Sequence, residues 1–270
     1  MLPKDEPYIV FADPVAEEFC ATAFGDGVGL TKRKARKVTT SQFNTALAAF
    51  ADRTSITSFD EFRHFVHVTE TGTWTNCTQL TSIKLPPSCY QVTRQAFSGC
   101  TSLAYINLDR ITKIRYQAFL NCTSLQIDVD MPRLSDLSQS VGLEYETFRN
   151  SGITKVTNLG TVSDIGQYSF FSSCTNVTEI WLPSTIKSIS RLSMYNCTSL
   201  TSLVVLATNP PDLAYSDRFP TIGGAPGRKI YVPYSADHSI LDAYKIAENW
   251  TIYANDIYEL NPDGTVPTEL

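Results

Sequence analysis

Hydrophobic and polar positions repeat along the middle of the chain with a period of about 23 residues. Each copy begins with an aromatic residue or methionine and continues with apolar positions at similar offsets, and five of the six copies place cysteine three residues after the first position. The copies begin at Trp74, Phe97, Phe119, Phe148, Phe171 and Met194, with separations of 23, 22, 29, 23 and 23 residues. Such a period predicts a solenoid, in which neighbouring copies cover one another's apolar faces.

The end of each copy alternates between apolar and polar residues. In the first copy, Ile83 and Leu85 point to one side, whereas Ser82 and Lys84 point to the other. Pro86 then ends the run, because proline cannot donate a ladder hydrogen bond. We therefore expect one short parallel strand in each of about six coils, and a body on the order of 29 Å long at a strand spacing of about 4.8 Å.

A second pair of apolar residues follows each strand at a nearly constant offset. The pairs are Cys89/Val92, Ile111/Ile114, Leu134/Leu137, Val162/Ile165 and Ile186/Ile189. This recurrence predicts a second extended segment on the far side of each coil.

The repeat Ala-Phe-x-x-Cys-x-x-Leu-x-x-Ile-x-Leu-Pro resembles the BspA-like, Treponema pallidum-type leucine-rich repeat, which is common in surface proteins of Bacteroides-like bacteria. The resemblance covers roughly residues 54 to 205. It implies a curved solenoid that binds or adheres and carries out no chemistry. The sequence departs from the pattern at Ser151, which replaces cysteine, at Met194, which replaces phenylalanine, and in the 29-residue third coil.

The flanking segments read as caps for the two ends of the solenoid. We expect a helical N-terminal cap over residues 1–70, a solenoid over 71–208, and a C-terminal cap and tail over 209–270. A short strand is predicted at Tyr8–Ala12, and helices at Val15–Phe24, after Thr31 and at Ser41–Phe50. The C-terminal cap, whose sequence resembles that of the family, combines a strand at Ile230–Pro233 with a helix at Ile240–Trp250. The predicted fold class is a β-rich repeat solenoid with short parallel strands, a small helical N-cap and a strand–helix C-cap.

The seven cysteines are interpreted as small buried apolar residues. Five of them share one register, so neighbouring coils stack them in the same orientation. Disulfides and a zinc site are the alternatives, but the count is odd and no Cys-x-x-Cys pair is present.

Charge and hydropathy narrow the classes of partner. A net charge of −5 gives no reason to expect nucleic acid, and no apolar stretch is long enough for membrane insertion. The first residues lack the apolar core of a secretory signal, so we expect no signal peptide in this chain.

Motifs for catalysis and cofactors are not found in the sequence. It holds no Gly-x-Ser-x-Gly, Gly-x-Gly-x-x-Gly, P-loop or His-Glu-x-x-His motif, so neither an enzyme nor a cofactor is expected. His64 and His67 are interpreted as surface residues of the cap. The N-terminal region also resembles repeat proteins in which an acidic loop looks like half an EF-hand. Here only Asp26 remains of that loop, and no calcium or other metal is expected.

Two groups of residues are candidates for binding a partner. The alternation places one group on the outer face of the strands, where Trp181 suits a binding hot spot unless the loop at 215–228 covers it. This outer group is Tyr105, Asn107, Lys155, Glu179 and Trp181. The other group is a basic run that either forms a solvated cap or docks an acidic partner. The run comprises Lys32, Arg33, Lys34, Arg36 and Lys37.

Two functions remain open for a non-enzymatic interaction module of this kind. One is a structural or receptor-binding component of a larger assembly, such as the virion of a phage that infects such bacteria. The other is a bacterial surface adhesin for a host protein or glycan. The expected partner is a protein or a glycan. A protein partner could be a second copy of this chain, in a homo-oligomer, or a neighbouring protein of the virion. The expected location is the virion or the cell surface.

Overall fold

The computed structural model describes residues 6–137, 146–165, 169–214 and 220–268. Over these residues the chain is a parallel β-solenoid of about eight turns, with a small helical region before it and a helix and strand at its end. This confirms the predicted fold class. The helices are α1 (Pro14–Ala23), α2 (Lys32–Ala35), α3 (Thr40–Ala49) and α4 (Ser239–Ile246). Short 3₁₀ segments span Ala51–Ser55, Asp60–His64 and Thr251–Asp256.

The strands are short, and nine of those described lie on one side of the solenoid as the front sheet. The strands are β1 (Ser58–Phe59), β2 (Ser82–Ile83), β3 (Gln91–Val92), β4 (Tyr105–Ile106), β5 (Lys113–Ile114), β6 (Asp128–Asp130), β7 (Lys155–Asn158), β8 (Glu179–Leu182), β9 (Ser188–Ile189), β10 (Ser202–Val205), β11 (Asp212–Leu213), β12 (Lys229–Val232) and β13 (Ile257–Glu259). The front sheet has two parts, with strand orders β1-β2-β4 and β6-β7-β8-β10-β12-β13 from one end to the other. Every pair is parallel.

The front sheet is interrupted between β4 and β6, and the sequence explains why. In the second copy the buried Leu103 and Ile106 are three positions apart, whereas in the third copy the buried Leu125 and Val129 are four apart. A shift of one residue changes which backbone groups face the neighbouring strand. The irregular third coil therefore breaks the pairing while it keeps an apolar residue in the core.

The second extended segments form a rear ladder. Strand β3 pairs with β5 and β9 pairs with β11, and single bridges extend these pairs from Glu70 to Gln91, from Lys113 to Asp136 and from Asp164 to Ser188. Both members of every predicted apolar pair are buried. The prediction of a second ladder is therefore confirmed.

Aromatic rings from successive coils stack through the core. The Phe119 ring lies 5.5 Å from that of Phe97 at 9°, and 5.1 Å from that of Phe148 at 7°. Phe171 continues the stack at 5.8 Å from Phe148. All four side chains are fully buried, so a single coil has no stable environment for its ring without its neighbours.

The corners of the coils require left-handed backbone at the residue before the cysteine slot. Asn76, Asn121 and Asn196 have φ near +60° there, and Gly99 has φ +75°. Asparagine and glycine tolerate this region better than other residues. The three Asn-Cys-Thr sequences therefore form turns at the corners of their coils.

The N-terminal cap is attached to the solenoid by Asp13. Its Oδ1 accepts a hydrogen bond from Ala16 N at 2.8 Å and so caps α1. Its Oδ2 accepts from the backbone N of Thr57 at 2.7 Å and from the Thr57 hydroxyl. One buried carboxylate thus joins the first helix to the residue that precedes β1.

Some boundaries differ from the predictions. The predicted strand at Tyr8–Ala12 is reduced to a single antiparallel bridge between Tyr8 and Thr31. The predicted helix at Ile240–Trp250 ends at Ile246, and a 3₁₀ segment follows Trp250. Residues 215–219 of the predicted loop lie outside the described residues. The domain bounds stay a prediction, and strands of the front sheet lie on both sides of the segment 71–208.

All seven cysteines are free and buried, as the stacked register predicted. Four thiols donate to the backbone oxygen of the residue that opens the preceding copy. The acceptors are Trp74 O for Cys100 (3.0 Å), Phe97 O for Cys122 (3.0 Å), Phe148 O for Cys174 (2.9 Å) and Phe171 O for Cys197 (3.1 Å).

Candidate functional site

The outer face of the front sheet presents two rows of side chains, because alternate residues of each strand point away from the core. The register aligns Ser82 with Tyr105, and farther along it aligns Lys155 with Glu179 and Ser202. A second row carries Trp181, Val204 and Tyr231. All outer-face candidates from the sequence therefore lie on one side of the solenoid. The break between β4 and β6 separates Tyr105 and Asn107 from Lys155, Glu179 and Trp181.

Tyr105 is an exposed aromatic residue on β4, the last strand before the break in the front sheet. Its side chain is 46% exposed, while the next residue, Ile106, is buried. The side chain of Asn107, two residues later, forms hydrogen bonds with the backbone of the neighbouring coil. Its Oδ1 accepts from Leu85 N at 2.8 Å, and its Nδ2 donates to Leu85 O at 3.4 Å. The amide of Asn107 thus replaces a ladder contact and fixes the strand that carries Tyr105.

Lys155, Glu179 and Trp181 form a connected group on β7 and β8. Lys155 Nζ lies 3.2 Å from Glu179 Oε2, and the indole N–H of Trp181 donates to the other carboxylate oxygen, Oε1. Because Glu179 engages both neighbours, the three side chains hold one another in place. The group offers a contact surface with little rotamer freedom left to lose on binding.

The C-terminal strands cover part of the outer face. Val204, Tyr231 and Leu260 form a buried cluster there, and Trp181 packs against it together with Leu206, Tyr258 and Val266. The alternation along β10 predicts an exposed Val204, but this residue is buried, because Tyr231 of β12 and Leu260 pack against it. Trp181 is consequently half-buried. One residue of its cover, Val266, lies in the segment predicted to be the C-terminal tail.

Two acidic residues of the outer face were missed at the sequence level. Asp128 and Asp130 are exposed on either side of the buried Val129. Asp128 Oδ1 accepts from the Thr154 hydroxyl at 2.9 Å. The extra residue in the third copy hid this strand from a fixed repeat. The alternation of Asp128, Val129, Asp130 and Met131 was the signal that would have revealed it.

The basic run lies in the N-terminal cap, in and directly after α2. The Thr31 side chain caps this helix through Lys34 N, as predicted. Arg33 Nε lies 3.6 Å from Glu6, and Lys34 Nζ lies 3.8 Å from Asp26. Within the described residues, Lys32, Arg36 and Lys37 have no ion-pair partner.

Two titratable groups near the basic run have shifted pKa values. The pKa of His64 is lowered, first by burial and then by the positive charges of Arg63, Lys32 and Arg36. The pKa of Asp26 is lowered to about 2, chiefly by the hydrogen bond from Gly29 N, and next by those from the Tyr8 hydroxyl and Val28 N. The carboxylate of Asp26 is thus engaged by the protein's own donors, an arrangement that suits a fixed loop.

Two further observations concern chemistry and membranes. Groups of three or more potential metal ligands are not found among the described residues. The same part of the chain has no helix of the length and hydropathy that a bilayer span requires.

Comparison with known families and proteins gives one match over much of the sequence. The family model described as the BspA type leucine-rich repeat region, in six copies, matches residues 45–170 and 141–209. Together these ranges cover more than half of the chain. The comparison with curated proteins returned no match.

Three solved structures are similar to this chain. A leucine-rich repeat protein of T. pallidum is 26% identical with a TM-score of 0.41, over 55% of this chain and 67% of that chain. A leucine-rich repeat protein of Bacteroides ovatus is 18% identical with a TM-score of 0.41, over 62% and 43%. A leucine-rich cell surface protein of Faecalibacterium prausnitzii is 16% identical with a TM-score of 0.29, over 79% and 86%.

Proposed function

We propose that this chain, which belongs to the family of proteins with a BspA-type leucine-rich repeat region, is a non-enzymatic module that binds a protein partner through the outer face of its front sheet. The observation that carries the proposal is the exposed Tyr105 ring on a strand whose position is fixed by Asn107. Tyrosine supplies a large contact area at a low cost in conformational entropy.

The proposed contact strip crosses strands β4, β6, β7 and β8. An aromatic residue, two acids and a connected lysine–glutamate–tryptophan group lie along it. Its members are Tyr105, Asn107, Asp128, Asp130, Lys155, Glu179 and Trp181. Aromatic anchors within a charged surround are typical of protein interfaces, where the aromatic residues contribute most of the binding energy.

Two settings for this module are proposed. In one, the chain is a structural or receptor-binding component of a larger assembly such as a phage virion. In the other, it is a bacterial surface adhesin, which the resemblance to surface proteins favours. Fractionation of the producing culture separates them. Copurification with particles supports the assembly, and recovery in the envelope fraction supports the adhesin.

The contact strip is tested by retention on whichever fraction carries the protein. Tyr105→Ala and Trp181→Ala should each weaken retention by about 2 kcal/mol, the size expected of a hot-spot residue. The control Lys187→Ala changes an exposed residue on the rear ladder and should leave retention unchanged. Equal retention of all three variants would remove the front sheet as the binding face.

A further inference from the structure

An open groove lies on the surface of the N-terminal cap and shares no residue with the contact strip. Its volume is about 710 Å³, which is within the range of about 300–1,000 Å³ typical of ligand pockets. Residues at the end of α1, around α2 and along one side of α3 form its walls. The lining residues are Ala23, Phe24, Lys34, Lys37, Val38, Ser41, Gln42, Thr45, Ala46 and Ala49.

The groove has an apolar floor. Phe24 and Ala46 are only partly buried and pack against the main core. Val38 is buried next to them in the lining. Since none of these side chains can hydrogen-bond, the floor favours apolar groups in an occupant.

The rim of the groove is positively charged. Residues 27–51 contain five lysines and arginines and no aspartate or glutamate, although the whole chain has a net charge of −5. Lys37 is exposed at the rim and has no ion-pair partner among the described residues. The other rim lysine, Lys34, has only a partly exposed pair at 3.8 Å with Asp26, and such pairs contribute little to stability.

We propose that this groove binds an acidic amphipathic segment of a partner protein, with the apolar side of the segment on Phe24, Val38 and Ala46 and its carboxylates at Lys34 and Lys37. A helix with apolar residues at i, i+3, i+4 and i+7 fits such a groove between helices. The charge of the rim selects acidic flanks and rejects basic ones. This surface is separate from the contact strip of the front sheet and has different partner chemistry.

The concave shape of the groove favours a peptide over a membrane surface as its ligand. Binding to an anionic bilayer depends on apolar side chains that protrude into the lipid. Here Val38 is buried and Phe24 and Ala46 are partly buried in the lining of the groove, while Lys37 beside them is exposed. The arrangement therefore accepts inserted side chains and offers few to insert.

The test uses the full chain and a labelled synthetic helix of about 15 residues with leucine on one face and glutamate on both flanks. Fluorescence anisotropy should show saturable binding that weakens as salt is raised, because exposed charges are screened over about 8–10 Å. The same peptide with lysine in place of glutamate should bind at least about tenfold more weakly.

Two variants separate the contributions of charge and shape. Lys34→Glu with Lys37→Glu should weaken binding of the glutamate peptide at least about tenfold. The control, Lys187→Glu with Lys245→Glu, makes the same change in net charge away from the groove. Thr45→Trp fills the groove without a charge change and should weaken binding at least about fivefold, whereas Ala48→Trp on the same helix should not. Circular dichroism and the thermal midpoint verify that each variant is folded.

Four results would overturn the proposal. Equal affinity for the lysine and glutamate peptides would show that the rim does not select charge. Unchanged binding in both groove variants would place the peptide elsewhere. The third result is binding of phosphatidylcholine vesicles containing phosphatidylserine, without binding of the peptide, which would assign the surface to lipid. Sedimentation velocity of the protein alone completes the test, since a dimer abolished by Thr45→Trp would make a second copy the occupant.

Discussion

The thiol of Cys122 donates a hydrogen bond to the backbone oxygen of Phe97, with 3.0 Å between Sγ and the oxygen. The two residues occupy the same corner of successive coils, so the bond joins one coil to the next. Serine replaces cysteine in one copy, where the Ser151 hydroxyl lies 3.5 Å from the thiol of Cys174. A side chain that is small, buried and able to donate is therefore what this position requires, and cysteine meets all three conditions.

The thiols should be unreactive in the folded protein and fully reactive once it is denatured. Burial raises the pKa of Cys89 to about 12. Burial also raises the pKa of Cys174, to about 11, although hydrogen bonding with Ser151 lowers it. Few of these thiols are therefore thiolates at pH 8. Titration without reductant should count about one thiol or fewer in the native chain and all seven in denaturant. Two or more disulfides after denaturation would contradict the reduced ladder.

Cys77 should be the first thiol to react as the native protein opens. The neighbouring Cys100 side chain lowers the pKa of Cys77, whereas the pKa of each of the other six cysteines is raised, although Cys77 is buried as well. Cys77→Ser provides the control, because it should remove the earliest phase of labelling. Early labelling at Cys197 instead would show that the C-terminal end opens first.

The register of the solenoid could be predicted because its residues obey local rules. Ile83 and Ile106 lie in the core and Tyr105 lies outside, as the alternation requires. The asparagines before the cysteines marked the corners, because few residues accept positive φ. Each of these features depends on residues close together in sequence, which a repeat displays several times.

The exposure of the outer face could not be predicted in the same way. Val204 alternates outward as expected, yet Leu260 and Tyr231 bury it. This cover depends on where the chain returns after β13, and no periodicity encodes that path. The groove on the N-terminal cap was missed for the same reason, since it forms between helices whose mutual placement depends on tertiary packing.

Removal of one ring from the aromatic stack should destabilise the whole solenoid. Phe119 is fully buried between Phe97 and Phe148, so Phe119→Ala should cost about 3–5 kcal/mol. Tyr105→Ala, on the outer face of the adjacent coil, removes a ring of similar size from an exposed position and should cost within about 0.5 kcal/mol. Urea midpoints at constant m-value provide the comparison, and equal midpoints would contradict the assignment of inner and outer faces.

Two glycines with positive φ should respond differently to alanine. A Cβ at Gly160 (φ +59°) would lie 2.1 Å from Leu134 O, whereas at Gly27 (φ +84°) it would meet no atom within 4 Å. Both substitutions carry the penalty of about 1–2 kcal/mol for a side chain in the left-handed region. Because backbone must move as well at Gly160, Gly160→Ala should cost about 1–3 kcal/mol more than Gly27→Ala. Similar thermal midpoints for the two variants would mean that the backbone around Leu134 can move away from the new Cβ at little energetic cost.

The attachment of the N-terminal cap should weaken in acid because of Asp13. Burial favours the protonated carboxyl group, but hydrogen bonds from Thr57 and Ala16 outweigh it, and the pKa of Asp13 is lowered. A carboxyl group whose pKa is lower in the folded than in the unfolded state stabilises the fold above the unfolded value of about 3.9. That contribution is lost as the pH falls through the folded pKa.

Asp13→Ala should therefore cost about 1–2 kcal/mol at pH 7, the usual effect of losing a helix cap. Asp13→Asn retains one acceptor oxygen and should cost less at pH 7, and its stability should fall less between pH 5 and pH 3 than that of the wild type. Asp109→Asn, an exposed change of equal charge, should keep the wild-type pH dependence. Urea unfolding at each pH measures the difference, and identical slopes for wild type and Asp13→Asn would show that Thr57 does not hold a charged carboxylate.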